Sequence, residues 1–377
     1  MRNVIIDGYS ITQFNTEAIC IENFISVPQK LYSAKLNPQN PKEEQLLLLG
    51  KHTLSKYIRL VPFLLQQENS IIGRAALTFY PQNPDLAYLG FFEMLDDQKA
   101  AAAFFAALEG YARIEGCNRM VGPMNASFWL GYRMKADRFD EAPYFGEPYN
   151  LPYYPQLWQG NGYVVTDEYI SNRYRQLQPG IYQNKRYEKR LQFFLQAGYV
   201  ISPPRKDNWD TTIRDVYRLI VKLYRTFPGF SPIGEEEFMS NFSGLKMILD
   251  FSLCRMAYWN NQAVGFAITI PDYGTFLNNI SIWKLPKLLW QRSRSRRYVI
   301  LYVGVEPEHK GIGTAMAQEL VQELAVRRAV AIGALIHKGK VTQGYAADFI
   351  EAQSHYWLFE KNIHLPQTEV NSFGHKK

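Results

Sequence analysis

The sequence predicts an α/β protein, a mixed sheet with helices packed on it, built as two similar domains in tandem. Three observations carry this. At 377 residues the chain is long for one core and suits two. Helical and strand patterns alternate, and their order in the second half repeats that of the first. Near the C-terminal end an apolar β-rich run, Tyr298–Val305 (YVILYVGV), enters a glycine-bearing loop that opens a helical pattern, 314–328. Strand, glycine loop and helix together present backbone N–H groups to a phosphate.

The elements follow in order. A helical stretch runs from about Thr16 to Lys35. Strands are expected at Leu60–Gln66 and Ile71–Tyr80, joined by the turn Glu68-Asn69-Ser70. Ala87–Met94 (AYLGFFEM) reads as a buried strand, Gln98–Glu115 as a helix ended by Gly116, and 119–122 as a short strand. Asn150–Tyr163 holds a closing helix and a Gly-aromatic step. Pro179-Gly180 and Pro203-Pro204 are breakers, so a first domain is expected over 1–180, a linker over 181–210 and a second domain over 211–377. The second domain repeats the skeleton. Helices are expected at Thr211–Arg225 and Gly234–Leu249, and strands at Leu253–Trp259 and Ala263–Ile270 around the Asn260-Asn261-Gln262 turn. The strand 298–305, the glycine loop and its helix, and strands at Val330–His337 and Tyr356–Lys361 complete it.

Composition narrows the function classes. With 47% hydrophobic and 20% charged residues the chain reads as an ordinary globular protein. Cys20, Cys117 and Cys254 lie far apart and form neither a metal spacing nor a disulfide framework, so no metal is expected. There is no signal-peptide pattern at the start and no apolar run of transmembrane length; a cytoplasmic setting is the expectation. The net charge is +7, and between Gly274 and Val305 stand six basic residues and no acidic one. The excess is therefore local, within a basic insertion at 275–297. A general nucleic-acid-binding surface is not expected.

The loop itself reads Val-Glu-Pro-Glu-His-Lys-Gly-Ile-Gly-Thr-Ala over 305–315. It is not a nucleotide P-loop, since GxxxxGK[ST] is absent, nor the dinucleotide fingerprint, whose third glycine falls on Met316. Val305, Pro307, Lys310, Gly311, Gly313 and Ala315 match the pattern Val-x-Pro-x-x-(Arg/Lys)-Gly-x-Gly-x-(Gly/Ala). In this the chain resembles the GNAT superfamily of N-acetyltransferases, as two acyl-CoA N-acyltransferase domains in tandem. Lys310 stands where Arg or Gln is commoner. After Met94 the first copy has only Leu95-Asp96-Asp97-Gln98, with no glycine and a carboxylate suited to cap the next helix. It reads as degenerate. The stretches Gly90–Glu93, Gly122–Asn125 and Tyr149–Tyr154 also resemble a group of uncharacterised bacterial tandem GNAT-like proteins.

The resemblance implies chemistry. Two parallel strands, here 298–305 and 330–337, would part to admit the pantetheine arm of acetyl-CoA. Backbone groups of Val303 and Val305 would bond it, while Lys310, Gly311, Ile312, Gly313, Thr314 and Ala315 hold the pyrophosphate. An amine would attack the thioester directly, which needs a base and an acid for the leaving thiolate. Tyr345 is the nearest candidate acid, although the usual tyrosine slot falls on Ala347; Tyr356 is a second option. Glu306 and His337 are the candidate bases. In the connection 226–237, Phe227, Phe230 and Pro232 offer an apolar wall and Glu235 an amine contact; acidic residues in a helix's first turn account equally for Glu235–Glu237.

The acceptor that the resemblance implies is a small-molecule or peptide amine. The insertion 278–297 mixes Trp283, Leu288, Leu289 and Trp290 with the basic cluster. It is expected as a lid beside the coenzyme or a homodimer contact, with arginines able to meet the 3′-phosphate, and Pro286 argues against one clean helix. Two other classes compete with an enzyme of this kind: a non-catalytic acyl-CoA-binding or scaffold protein, and an aminoacyl transferase of the peptidoglycan-precursor type. The intact loop disfavours the latter.

Overall fold

A computed structural model describes residues 1–181, 184–279 and 285–364. The strands are β1 (Arg2–Ile6), β2 (Tyr9–Gln13), β3 (Arg59–Gln67), β4 (Ser70–Phe79), β5 (Leu86–Met94), β6 (Arg119–Gly122), β7 (Met134–Lys135), β8 (Val164–Tyr174), β9 (Val200–Ser202), β10 (Arg255–Trp259), β11 (Gln262–Pro271), β12 (Arg297–Val305), β13 (Val330–His337) and β14 (Ile350–Asn362). The helices are α1 (Ala18–Leu31), α2 (Pro41–Leu48), α3 (Gln98–Ile114), α4 (Tyr154–Gly160), α5 (Lys185–Gln196), α6 (Trp209–Leu223), α7 (Glu235–Phe242), α8 (Leu285–Arg294) and α9 (Ile312–Val326). The chain divides into two compact units.

The first unit comprises Met1–Met134, Asn150–Thr166 and the residues from Trp357. Its strands lie in the order β1-β2-β3-β4-β5-β6-β14. Only β5 and β6 run parallel, from Leu86↔Arg119 to Tyr88↔Val121. The Ala- and Phe-rich inner face of α3 packs on one side of this sheet with Leu65, Leu77, Leu89 and Trp158. Phe24 of α1 and Leu47 of α2 cover the other with Leu64 and Phe91.

The second unit comprises Lys135–Tyr149 and Asp167–Tyr356. Its strands lie in the order β8-β13-β12-β11-β10-β9, with only β12 and β13 parallel. Helix α9 covers one face through Leu320, Val321 and Leu324 against Tyr298 and Ala331. On the other, Tyr144 packs against Val299, Ile332 and Ala334.

The division corrects the expected boundaries. Residues 181–210 are not a bare linker: they contain α5, and β9, which pairs with β10 (Ala257↔Ile201). In each unit the parallel pair is completed by a strand from the other copy in sequence. Strand β8, which ends the first copy, pairs antiparallel with β13, and β14, which ends the second, pairs antiparallel with β6. The N-terminal hairpin β1–β2, β8 and α5 are additions to the expected elements, and between β13 and β14 the chain forms short turns at Val341–Gly344 and Ala347–Phe349.

Two strands bulge at the same place in the repeat. One extra residue at Leu301 of β12 lies between Ile300↔Thr269 and Tyr302↔Ile268. One lies on β5 between Gly90↔Ala76 and Glu93↔Arg74. A bulge re-aims every later side chain. Tyr298 and Ile300 therefore face α9 before it, and Val305 faces α9 after it.

Candidate coenzyme site

The β12–β13 ladder runs only from Arg297↔Val330 to Ile300↔Gly333, although both strands continue, to Val305 and His337. Beyond that point β13 keeps its bonds to β8, at Ile336↔Ile170 and His337↔Tyr169. A gap between the carboxyl ends of two parallel strands results. Glu306 donates its N–H to Val264 O at 2.9 Å on the opposite side. By the alternation of an antiparallel pair, the backbone groups of Val303 and Val305 then face the gap.

At the mouth of the gap, Pro307–His309 form a single tight turn and Gly311 adopts φ +103°, a conformation that side-chain-bearing residues rarely take. Gly311 is the N-cap of α9, so the first N–H groups of that helix point out of the loop where Lys310 stands exposed. Gly313 is buried, and a Cβ there would meet the Tyr345 hydroxyl at 2.8 Å and Val305 Cγ2 at 3.3 Å. Ile312, Ala315 and Met316 turn into the core and fix the helix in place. This loop fits a diphosphate: glycines where an anion approaches, orphan N–H donors, and an exposed cation.

Each predicted catalytic side chain has a partner of its own. The Tyr345 hydroxyl lies at the start of α9, hydrogen-bonded with Thr314, and burial raises its pKa. It stands at the phosphate end of the gap. Tyr356 is fully buried and donates to Glu147 Oε1 at 2.6 Å, in a network with Lys135. Glu306 is held by Lys222 at 2.8 Å. His337 has Asp167 Oδ1 at 2.9 Å from Nε2 and Lys338 O at 3.0 Å from Nδ1, so both ring nitrogens face acceptors.

Phe227 does reach this end of β13, its ring centroid 6.2 Å from that of His337 and 5.6 Å from Lys340 Nζ. Phe230 packs on Tyr224 instead. Glu235 lies in the first turn of α7 and pairs with Arg214 of α6.

The insertion also departs from expectation. Pro286 is accommodated in the first turn of α8, where its missing N–H costs no bond. Arg297 pairs with Asp272, Arg292 donates to Met247 O, and Arg296 donates to Arg327 O beyond the end of α9. These sit at the start of β12 and the C-terminal end of α9. The glycine loop is at the other ends of both, about 20–25 Å away along either element. Arg292, Arg296 and Arg297 are thus engaged away from the glycine loop. Ile280, Ile282, Trp283 and Lys284 lie outside the described residues.

In the first unit the equivalent gap is closed. The N–H of Met124 donates to Leu89 O at 2.9 Å, Phe91 N–H donates to Asn125 Oδ1 at 2.7 Å, and Tyr154 OH accepts from Met94 N–H at 3.0 Å. Tyr153 OH donates to Met94 O at 2.7 Å. At the helix start, Asp97 Oδ1 accepts from Lys99 and Ala100 N–H, which holds its carboxyl below the usual range. The N–H groups of Phe91, Met94, Lys99 and Ala100 are thus already bonded within the unit.

No family model matches the chain. Protein YghO of Escherichia coli (strain K12) is 20% identical over 323 residues, 81% of each chain. Among solved structures, a tandem GNAT protein from the clavulanic acid biosynthesis pathway gives a TM-score of 0.51 at 9% identity, covering 95% of this chain and 100% of that one. The chain has the tandem GNAT fold. A GCN5-related glucosamine N-acetyltransferase region of a fungal multi-domain GH3 β-N-acetylglucosaminidase gives 0.52 at 13% identity, covering 95% of this chain and 38% of that one. Within the tandem GNAT fold, the parted ends of β12 and β13 and the loop 305–315 occupy the second repeat. Among the described residues no helix is long and apolar enough to cross a membrane, and no group of His, Cys, Asp and Glu is placed to hold a metal.

Proposed function

We propose that the protein is a cytoplasmic acyl-CoA-dependent N-acyltransferase, using acetyl-CoA, with one active unit, the second, and a degenerate first unit. The observation that carries this reading is the coincidence of two features: the β12–β13 ladder stops after Ile300↔Gly333, and the αL glycine loop opens at the end of β12. The diphosphate would lie on the N–H groups from Gly311 to Ala315 beside Lys310, and the pantetheine along Val303 and Val305. The amine nitrogen attacks the thioester carbonyl carbon, the C–S bond breaks, the nitrogen loses a proton and the thiolate gains one. Phe227, with His337 and Lys340 beside it, supports an acceptor site at the end of β13. Leu289 and Trp290, exposed on α8, support a homodimer contact through 278–297.

The test is calorimetry of the full chain with acetyl-CoA. One site per chain, lost in Gly313→Asp with the fold retained, is the expected result. Two equivalent sites, or none at millimolar ligand, refute it.

A second reading, a non-catalytic acyl-CoA-binding protein, is favoured by the engagement of Glu306 with Lys222, of Tyr356 with Glu147 and of both His337 nitrogens. Release of free CoA thiol over a panel of amines separates the two.

A further inference from the structure

The glycine loop has a neighbour that does not belong to its own repeat unit of strand, loop and helix. Helix α5 precedes β9 and packs along α9: Leu191 and Phe194 share a core with Ile312, Ala315 and Met316. One residue before Leu191, Arg190 turns the other way. Its Cζ and Nε lie 3.4 Å from the point where a Cβ on Gly311 would be, and its Cδ lies 3.6 Å from it. The side chain thus crosses the open face of the one residue whose left-handed backbone leaves that face bare. Three positions earlier on α5, the Tyr187 ring meets the Tyr345 ring with centroids 6.1 Å apart. The hydroxyl of Tyr345 stands over Gly313.

Two groups from outside the loop therefore converge on it, a guanidinium at Gly311 and a phenol at Gly313. Among the described residues Arg190 has no carboxylate partner, and its side chain is exposed. A guanidinium is planar and always charged, and it matches two oxygens of one phosphate. A carboxylate ligand would fit the charge but not the number of N–H donors gathered here.

We infer that Arg190 is a ligand of the coenzyme diphosphate, a clasp contributed by α5 across the mouth of the glycine loop. This rests on the reading of 305–315 as the coenzyme loop. It makes α5 part of the binding domain. Coenzyme binding then ties α5 to α9, and the unbound loop is screened by the same side chain.

The experiment is titration of the full chain with CoA and with 3′-dephospho-CoA, in wild type, Arg190→Ala, Arg190→Lys, Lys189→Ala and Gly313→Asp. Arg190→Ala is expected to weaken both ligands equally, by about tenfold or more. Arg190→Lys should recover part of that, and the exposed neighbour Lys189→Ala should bind as wild type. The loss should shrink as salt rises. Wild-type affinity in Arg190→Ala, with binding abolished in Gly313→Asp, overturns the inference and leaves the coenzyme loop standing. Tighter binding in Arg190→Ala overturns it too, by making the arginine an obstacle. A loss with CoA but none with dephospho-CoA moves the contact to the 3′-phosphate and refutes the diphosphate assignment. Absence of any binding by wild type refutes the loop itself.

Discussion

The carbonyl oxygen of Met124 lies where a side chain on Gly90 would be: a Cβ there would come within 1.8 Å of it. This contact sits at the point where β5 and β6 stop pairing, the place at which the second repeat opens. The first repeat thus keeps the parallel pair, the bulge and the following helix, and fills the gap with its own backbone.

Gly90→Ala follows directly. The neighbour is backbone, which cannot swing aside as a side-chain end does, so the segment 123–126 must shift. The expected cost is at the upper end of about 1–3 kcal/mol for overpacking, read from urea denaturation. Acetyl-CoA affinity should be unchanged, because the second-repeat loop is untouched. A variant as stable as wild type contradicts the packing described.

Tyr345→Phe separates two roles for that phenol. Its hydroxyl stands at Gly313 and Thr314, at the phosphate end of the gap. Removal should raise KM for acetyl-CoA several-fold, by about 0.5–1.5 kcal/mol for one hydrogen bond, and leave kcat within about twofold. A fall in kcat of a hundredfold at constant KM makes it the acid for the thiolate instead.

Much of the second repeat was legible in the sequence because its signals are local. Val305 to Ala315 carry their chemistry in consecutive residues, and β12 and β13 read as continuous apolar runs. A cap at Asp96 or Asp97 was legible for the same reason, and the structure puts it on Asp97. Strand β8 was hidden by its own charges: Asp167, Glu168 and Arg173 break the apolar pattern, yet each is matched, by His337, Lys338 and Glu141. Arg190 was hidden by distance along the chain, since only the packing of α5 on α9 brings it to Gly311. The placements of Glu306 and Tyr356 turned on partners, Lys222 and Glu147, that no local pattern names.

Asp167→Asn tests the His337 pair. An acceptor faces each ring nitrogen of His337, and the contact with Asp167 fixes how the ring is turned. The asparagine keeps the shape and removes the charge. If His337 works only as a wall beside Phe227, acceptor KM should rise by about twofold to fivefold with the pH profile of kcat unmoved. A displaced limb in the kcat profile would make His337 a proton carrier.

Glu93 offers a prediction in stability. Its carboxyl accepts from Tyr32 and Tyr154 hydroxyls, both at 2.7 Å. Burial pushes its pKa up to about 7, against the opposing pull of Arg74 and the two tyrosines. The folded state therefore holds a proton that the unfolded chain releases near pH 4.5. Between those values the unfolded state binds fewer protons, so stability falls as pH rises, and the loss is complete above about pH 7. The contribution is on the order of 1–3 kcal/mol. Glu93→Gln imitates the protonated form and removes the titration. Urea melts from pH 4.5 to 8 should show the slope flattened in this variant, with the largest gain over wild type at the alkaline end. Parallel curves for the two proteins would mean that Glu93 is ionised in the fold throughout, with Arg74 outweighing burial.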